Sequence, residues 1–72
     1  MLNAIARHFQ VSVKYTPWCN THTVIVAGSR GNLVVTETNG ETIAAFYGEH
    51  DEYVCDGYDL EDTIEKYNRL IK

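Results

Sequence analysis

Acidic residues are missing from the first half of this chain. Residues 1–36 contain no Asp or Glu and only Arg7, Lys14 and Arg30 as cations, so this half carries a formal charge of +3. Residues 37–72 hold all ten acids and carry −7. Charge asymmetry of this size bears on partners more than on fold. Unless the three cations converge on one patch, they are too few for direct nucleic-acid binding.

Several other features that define protein classes are scarce or absent. Two cysteines are too few for a disulfide framework, and no apolar run approaches the ~20 residues of a membrane span. The N-terminal segment lacks the long apolar region of a signal peptide. We therefore expect a cytoplasmic protein in a reducing compartment, with no membrane partner. Because no P-loop, dinucleotide fingerprint or nucleophile elbow is present, we also expect neither an enzyme nor a cofactor.

The hydrophobic pattern predicts one α+β domain over residues 1–72. A hydrophobic content of 44% is ordinary for a folded domain. Leu2, Ile5, Ala6 and Phe9 repeat at helical spacing, which indicates a short N-terminal helix within residues 1–10. Alternating or β-branched segments then predict strands at 11–16, 22–28, 32–38, 41–47 and 52–56.

The dipeptide Asn39-Gly40 is the clearest local signal, because both residues tolerate the positive φ angles of a two-residue hairpin turn. A hairpin here pairs Thr38 with Glu41, Val35 with Ala44 and Leu33 with Phe46. Both faces of the resulting sheet are apolar. One face carries Val24, Val26, Leu33, Val35, Ala44 and Phe46. The other carries Ile25, Ala27, Val34, Ile43, Ala45 and Tyr47. Two helices can share one face or cover one each, and a shared face would leave the other for a partner or a second copy.

The C-terminal segment has the strongest helix signals. Asp59 is a good N-cap, and Glu61 and Asp62 follow in the first turn. The predicted buried stripe is Leu60, Ile64, Tyr67 and Ile71, with Leu70 beside it. The predicted fold is therefore an antiparallel β-meander of four to five strands with a short N-terminal helix and a C-terminal helix.

The candidate ligands of a Cys₂His₂ metal site are Cys19, His22, His50 and Cys55. In the meander, His50 and Cys19 lie at opposite ends of the sheet, roughly 17–20 Å apart. Cys55 returns to the first end but lies three strands away, about 14 Å. We therefore expect no metal site and no disulfide. A thiol enzyme using Cys19 with His22 as base lacks an orienting third group.

Trp18 follows the only proline, which stops the first strand at Thr16. The favoured interpretation is a loop whose Trp18 packs over the sheet edge, with Cys19 as a small apolar filler. The alternative is that Trp18 is an exposed anchor for a partner, because tryptophan is enriched at binding hot spots.

Eight of the ten acids fall between residues 49 and 65, with no Lys or Arg among them and with Tyr53 and Tyr58 interspersed. Acids near a helix start stabilise the helix, but that does not explain those in the preceding loop and strand. Crowded carboxylates repel one another, and a basic partner would relieve the repulsion. The predicted partner-binding residues are Trp18, Glu49, Asp51, Glu52, Tyr53, Asp56, Tyr58, Asp59, Glu61 and Asp62.

The whole chain resembles, in general type, the small phage-encoded inhibitors of which anti-CRISPR proteins are an example. The resemblance rests on the small size, the Asn39-Gly40 hairpin, the acidic and tyrosine-rich segment and the closing helix "GYDLEDTIEKYNRLIK". It implies a non-catalytic protein in the host cytosol that blocks a nucleic-acid-facing surface of a Cas effector. That group shares no motif, so no residue role is transferred.

These observations lead to one expected function and two alternatives. We expect an inhibitor whose acidic, tyrosine-containing surface binds a basic, nucleic-acid-binding site on a partner protein. The first alternative is a homodimeric domain that uses an apolar sheet face, in which the acids only increase solubility. The second is a small Cys/His metal-binding or thiol protein.

Overall fold

A computed structural model describes all 72 residues. Five antiparallel strands pair in sequential order, with a helix at each end of the chain, which confirms the predicted α+β meander. The elements are α1 (Leu2–Phe9), β1 (Lys14–Thr16), a 3₁₀ turn (Pro17–Cys19), β2 (Thr21–Gly28), β3 (Gly31–Thr38), β4 (Glu41–Gly48), β5 (Tyr53–Gly57), α2 (Leu60–Lys66) and a π-helical turn (Tyr67–Ile71).

The central hairpin has the register that the sequence predicts. Thr38 pairs with Glu41, and Leu33 pairs with Phe46. Asn39 and Gly40 connect the strands with φ angles of 51° and 83°, as a type I′ turn requires. Because side chains alternate between faces, this register fixes which residues share a face across β2, β3 and β4.

Both helices pack on the same face of the sheet, which decides between the two arrangements left open above. The core is one cluster of buried side chains from α1, the central strands and the C-terminal turn. It consists of Leu2, Ile5, Ala6, Val24, Val26, Leu33, Val35, Ala44, Phe46 and Ile71. The opposite face, called here the open face, has no helix over it.

The first strand is shorter than predicted, because residues 11–13 do not join the sheet. Helix α1 ends at Phe9, and its C-cap residue Gln10 has a left-handed backbone with φ 56°. The next N–H, that of Val11, donates to the Ala6 carbonyl at 3.0 Å. Val11 then packs against the core cluster. The alternation that predicted a strand from residue 11 thus belongs partly to the helix-to-sheet connection, and pairing begins only at Lys14.

The C-terminal segment confirms the Asp59 N-cap and corrects the buried stripe. Leu60 is 37% exposed and lies outside the core, whereas Thr63 is fully buried. Thr63 lies against Gly57, where any side chain on residue 57 would overlap it. After Lys66 the helix widens into the π-helical turn, and the Lys72 N–H donates to the Tyr67 carbonyl at 2.9 Å. None of the helices has the length and apolar character needed to cross a membrane.

Candidate protein-interaction surfaces

Two of the predicted partner-binding acids hold the start of α2 together. The Asp62 N–H donates to Asp59 Oδ1, and the Tyr58 N–H donates to Asp62 Oδ2, both at 2.8 Å. Lys66 Nζ lies 2.9 Å from the same Asp62 oxygen. The hydrogen bond from Tyr58 and, next, the contact with Lys66 lower the pKa of Asp62. These two carboxylates therefore have a structural role that requires no partner.

Glu52 closes the loop between β4 and β5 in a similar way. Its Oε1 accepts a hydrogen bond from the His50 N–H at 2.9 Å, and its own carbonyl accepts from the Gly48 N–H at 2.8 Å. Hydrogen bonds from the backbone N–H groups of Glu52 and His50 lower the pKa of this carboxyl. Asp51 in the same loop has a left-handed backbone with φ 61°. Glu52 thus stabilises a tight turn rather than standing free.

Six of the seven predicted acids form no ion pair, because the two ion pairs of the molecule are Lys66–Asp62 and Arg69–Glu65. Glu52 and Asp59 accept backbone N–H groups instead. The remaining four are Glu49, Asp51, Asp56 and Glu61. Asp56 accepts a hydrogen bond from the Tyr53 hydroxyl at 2.9 Å, and this bond raises the pKa of Tyr53. The carboxylates of Glu49, Asp51 and Glu61 are the ones most available to a partner.

All of the predicted residues except Trp18 lie along one edge of the molecule, called here the β5 edge. It comprises strand β5, the loop 49–52 before it and residues 58–62 after it. The five residues of β5 separate the two acidic ends by about 16 Å. Tyr53 and Tyr58 are exposed along this edge, the latter by 88%. The acids and tyrosines of this continuous segment thus follow a single edge of the sheet.

Trp18 lies at the opposite edge of the sheet, in the 3₁₀ turn after β1. Four strand spacings, about 19 Å, separate the two edges. Its side chain is 88% exposed, so the interpretation that it packs over the sheet edge is wrong. Asn20 fixes the turn instead, because it accepts from the Tyr15 hydroxyl and donates to Asn39 Oδ1. Trp18 is exposed but does not join the acidic residues.

The cysteines and histidines do not assemble into a site. Both cysteines are free thiols, and Cys19 Sγ contacts the Thr16 carbonyl at 3.8 Å. The His22 ring stacks on Tyr15, with 4.6 Å between ring centroids. His50 lies in the β4–β5 loop, at the far end of the sheet from the 3₁₀ turn. No group of three His, Cys, Asp or Glu side chains comes close enough to hold a metal ion.

The open face is a second surface suited to protein contacts. Large apolar side chains project from it on both sides of β3, including Ile25 on β2, 57% exposed, and Ile43 on β4, 48% exposed. Tyr47 and Tyr53 contact each other edge to face on the same side, with 6.1 Å between ring centroids. Alternation along the strands predicts which residues share this face. Which of the two faces stays uncovered depends on where the helices dock.

Two shallow depressions are also present. One lies along α2 and the π-helical turn, between Glu61 and Arg69. The other lies between the β2–β3 turn and the start of the β4–β5 loop. No family model, curated protein or solved structure matches this chain. Proposals about function therefore rest on the geometry of the two surfaces.

Proposed function

We propose that the protein is a non-catalytic binding domain whose β5 edge docks on a basic site of a partner protein. The observation that carries the proposal is the set of unpaired carboxylates of Glu49, Asp51 and Glu61 beside the exposed ring of Tyr58. Basic protein sites of this kind commonly serve to bind nucleic-acid phosphates. Occupation by the β5 edge would block such a site, as an inhibitor of a nucleic-acid-handling complex such as a CRISPR-Cas effector does.

Electrostatics supports a basic partner. Eight carboxylates between residues 49 and 65 repel one another, and the chain supplies nearby cations only to Asp62 and Glu65. Positive charge on a partner would relieve this repulsion and would accelerate association through long-range attraction. Such attraction weakens as salt screens it. Binding through the β5 edge should therefore weaken steeply with rising ionic strength.

The tyrosines give the β5 edge contact area as well as charge. Tyrosine presents a rigid apolar ring with a polar tip and loses little conformational entropy on binding. Tyr58 lies directly before the Asp59 N-cap, and its own N–H is held by Asp62. The ring is therefore exposed on a fixed backbone, which suits it as an anchor at the centre of an interface.

The test removes charge from the β5 edge without disturbing the turns. Glu49→Gln with Asp51→Asn removes two free carboxylates and leaves Glu52, Asp59 and Asp62 in place. Glu37→Gln with Glu41→Gln is the matched control, because it removes two charges away from the β5 edge. Each tagged protein is used for affinity capture from host lysate at low and at high salt, and captured proteins are identified by mass spectrometry.

We expect the wild type and the control to capture the same basic protein at low salt and the first variant to lose it. The purified partner should then bind nucleic acid more weakly when the wild-type protein is added. Equal capture by both variants, or capture that does not weaken at high salt, would show that the β5 edge is not the binding surface.

A further inference from the structure

The open face has a pattern of side-chain sizes that becomes visible only in the strand register. Ile25, Val34 and Ala45 are directly paired across β2, β3 and β4. In the next row, Ala27 and Tyr47 flank Asn32. Thus a large residue on one side of β3 is matched by a small one on the other side, and the large residue changes sides between the two rows.

This pattern is complementary to itself under one rotation. Consider a second copy stacked face to face, related by a two-fold axis parallel to β3. The rotation places β3 over the partner's β3 and places β2 over the partner's β4. Ile25 then lies over Ala45 of the partner subunit, and Ala27 lies over the partner's Tyr47. Large side chains meet small ones, so the two layers can interdigitate at the ~10 Å spacing of packed sheets.

The charges at the two borders of the open face select the same rotation. Lys14 on β1 pairs with Thr23, and Asp56 on β5 pairs with Ala45, so both side chains are on the open face. The rotation brings each Lys14 over the partner's β5, two residues (about 7 Å) along the strand from the partner's Asp56. A lysine side chain can span that offset. A two-fold axis across the strands would instead place β1 over the partner's β1 and β5 over the partner's β5, so that charges of the same sign would lie at the same border.

The size of the face fits a dimer of this kind. The five strands have 3, 8, 8, 8 and 5 residues, and at ~3.3 Å per residue and ~4.8 Å per strand they cover about 500 Å² before side-chain relief is counted. Stable interfaces bury about 600–1,000 Å² from each partner.

We infer that the open face binds a second copy of this chain, as a face-to-face dimer whose two-fold axis runs along β3. This surface is separate from Glu49, Asp51 and Glu61, so both copies keep those carboxylates free.

The first experiment measures the oligomeric state of the full chain by sedimentation equilibrium over a wide range of protein concentration. We expect a dimer for the wild type and a monomer for Ile25→Asp. The substitution would bury a carboxylate in the interface with no cation beside it, and should weaken dimerisation more than about a hundredfold. Leu60→Asp is the matched control, since Leu60 is also a partly exposed aliphatic residue but lies on α2. Circular dichroism verifies that each variant is folded.

A second experiment distinguishes the two possible axes. Lys14→Glu alone and Asp56→Lys alone should each weaken dimerisation about three- to tenfold, and the double swap should restore it. With the axis across the strands, like charges already face each other, so the single changes would have no such effect and the swap would rescue nothing.

A monomeric wild type, or a dimer that Ile25→Asp leaves intact, would overturn the inference. A monomeric wild type that captures a partner from lysate only while Ile25 is intact would assign the open face to another protein. These outcomes do not depend on the Glu49 and Asp51 variant. Failure of the dimer can therefore be distinguished from failure of the proposed function.

Discussion

The two faces of the sheet consist of similar residues, but one face is buried and the other is exposed. Val24, Leu33 and Phe46 on one face are completely buried under α1 and the C-terminal turn. Ile25 and Ile43, on the same strands, are about half exposed. Alternation along each strand separates the two sets, and the helices cover only one of them. Whether an apolar residue of this sheet is buried or exposed thus depends on which face its position in the strand gives it.

The largest expected effect comes from deleting a buried ring on the covered face. Phe46→Ala should lower the free energy of unfolding by about 3–5 kcal/mol, because it removes the largest fully buried side chain and leaves a cavity. A chain this small has little stability in reserve, so the variant should be largely unfolded. Urea denaturation followed by circular dichroism measures the loss. Ile43→Ala on the open face is the comparison and should cost under about 1 kcal/mol. Similar losses from both would contradict the difference between the faces.

A smaller effect should follow from adding one methyl group to the covered face. A β-carbon on Gly28 would overlap the carbonyl of Ile71, because the C-terminal turn lies directly against β2 at that point. We expect Gly28→Ala to cost about 1–3 kcal/mol, measured by thermal unfolding. The neighbouring Ala27→Ser, on the open face, should change stability by less than about 0.5 kcal/mol. An unaffected Gly28→Ala protein would mean that the turn does not pack closely on the sheet.

The next effect tests how the covering helix is anchored. Asp59→Ala removes the acceptor for the Asp62 N–H and should cost about 1 kcal/mol. Asp59→Asn keeps an acceptor at the N-cap and should retain most of the stability. Chemical denaturation of the three proteins gives the comparison. If both substitutions cost the same, the negative charge rather than the hydrogen bond would be what matters at this position.

The smallest effect is a loss of stability in acid that arises at the β5 edge rather than at either face. The pKa values of Glu52 and Asp62 are lowered in the folded protein by hydrogen bonds from backbone N–H groups. Their stabilising contribution is therefore complete above the ordinary carboxyl range. It is lost as the pH falls below about 4.5 and through the lowered folded values. Urea unfolding at a series of pH values should show this decline. It should be shallower in Asp62→Asn, and an unchanged decline in that variant would contradict the assignment.

Most of the fold could be predicted because its signals are local. Asn39-Gly40 fixes a turn through the φ angles it permits, and the turn then fixes the register of β3 and β4. Asp59 marks the start of α2 by a hydrogen bond to a residue three positions later. Each of these effects depends on neighbours in the chain, so a single sequence contains the information.

The errors occurred where contacts between different elements of the fold decide. Val11 reads as part of a strand, but its backbone completes the end of α1 and its side chain joins the core. Leu60 fits the helical stripe, yet Thr63 occupies the space beside Gly57. Trp18 is exposed on a turn that the Asn20–Asn39 hydrogen bond joins to the β3–β4 turn, 19 residues away in sequence. Neither hydrophobic periodicity nor a turn motif in the sequence predicts these contacts.

The sequence by itself determined the α+β meander class, the central register, the α2 cap and the concentration of acids in the second half. Only the tertiary structure decided that both helices share one face, and that five carboxylates are tied to local partners while Glu49, Asp51 and Glu61 remain free. The physical reason is range. Turn preferences, alternation and capping act within a few residues. The docking of the helices and the contacts of each side chain depend on how the whole chain packs.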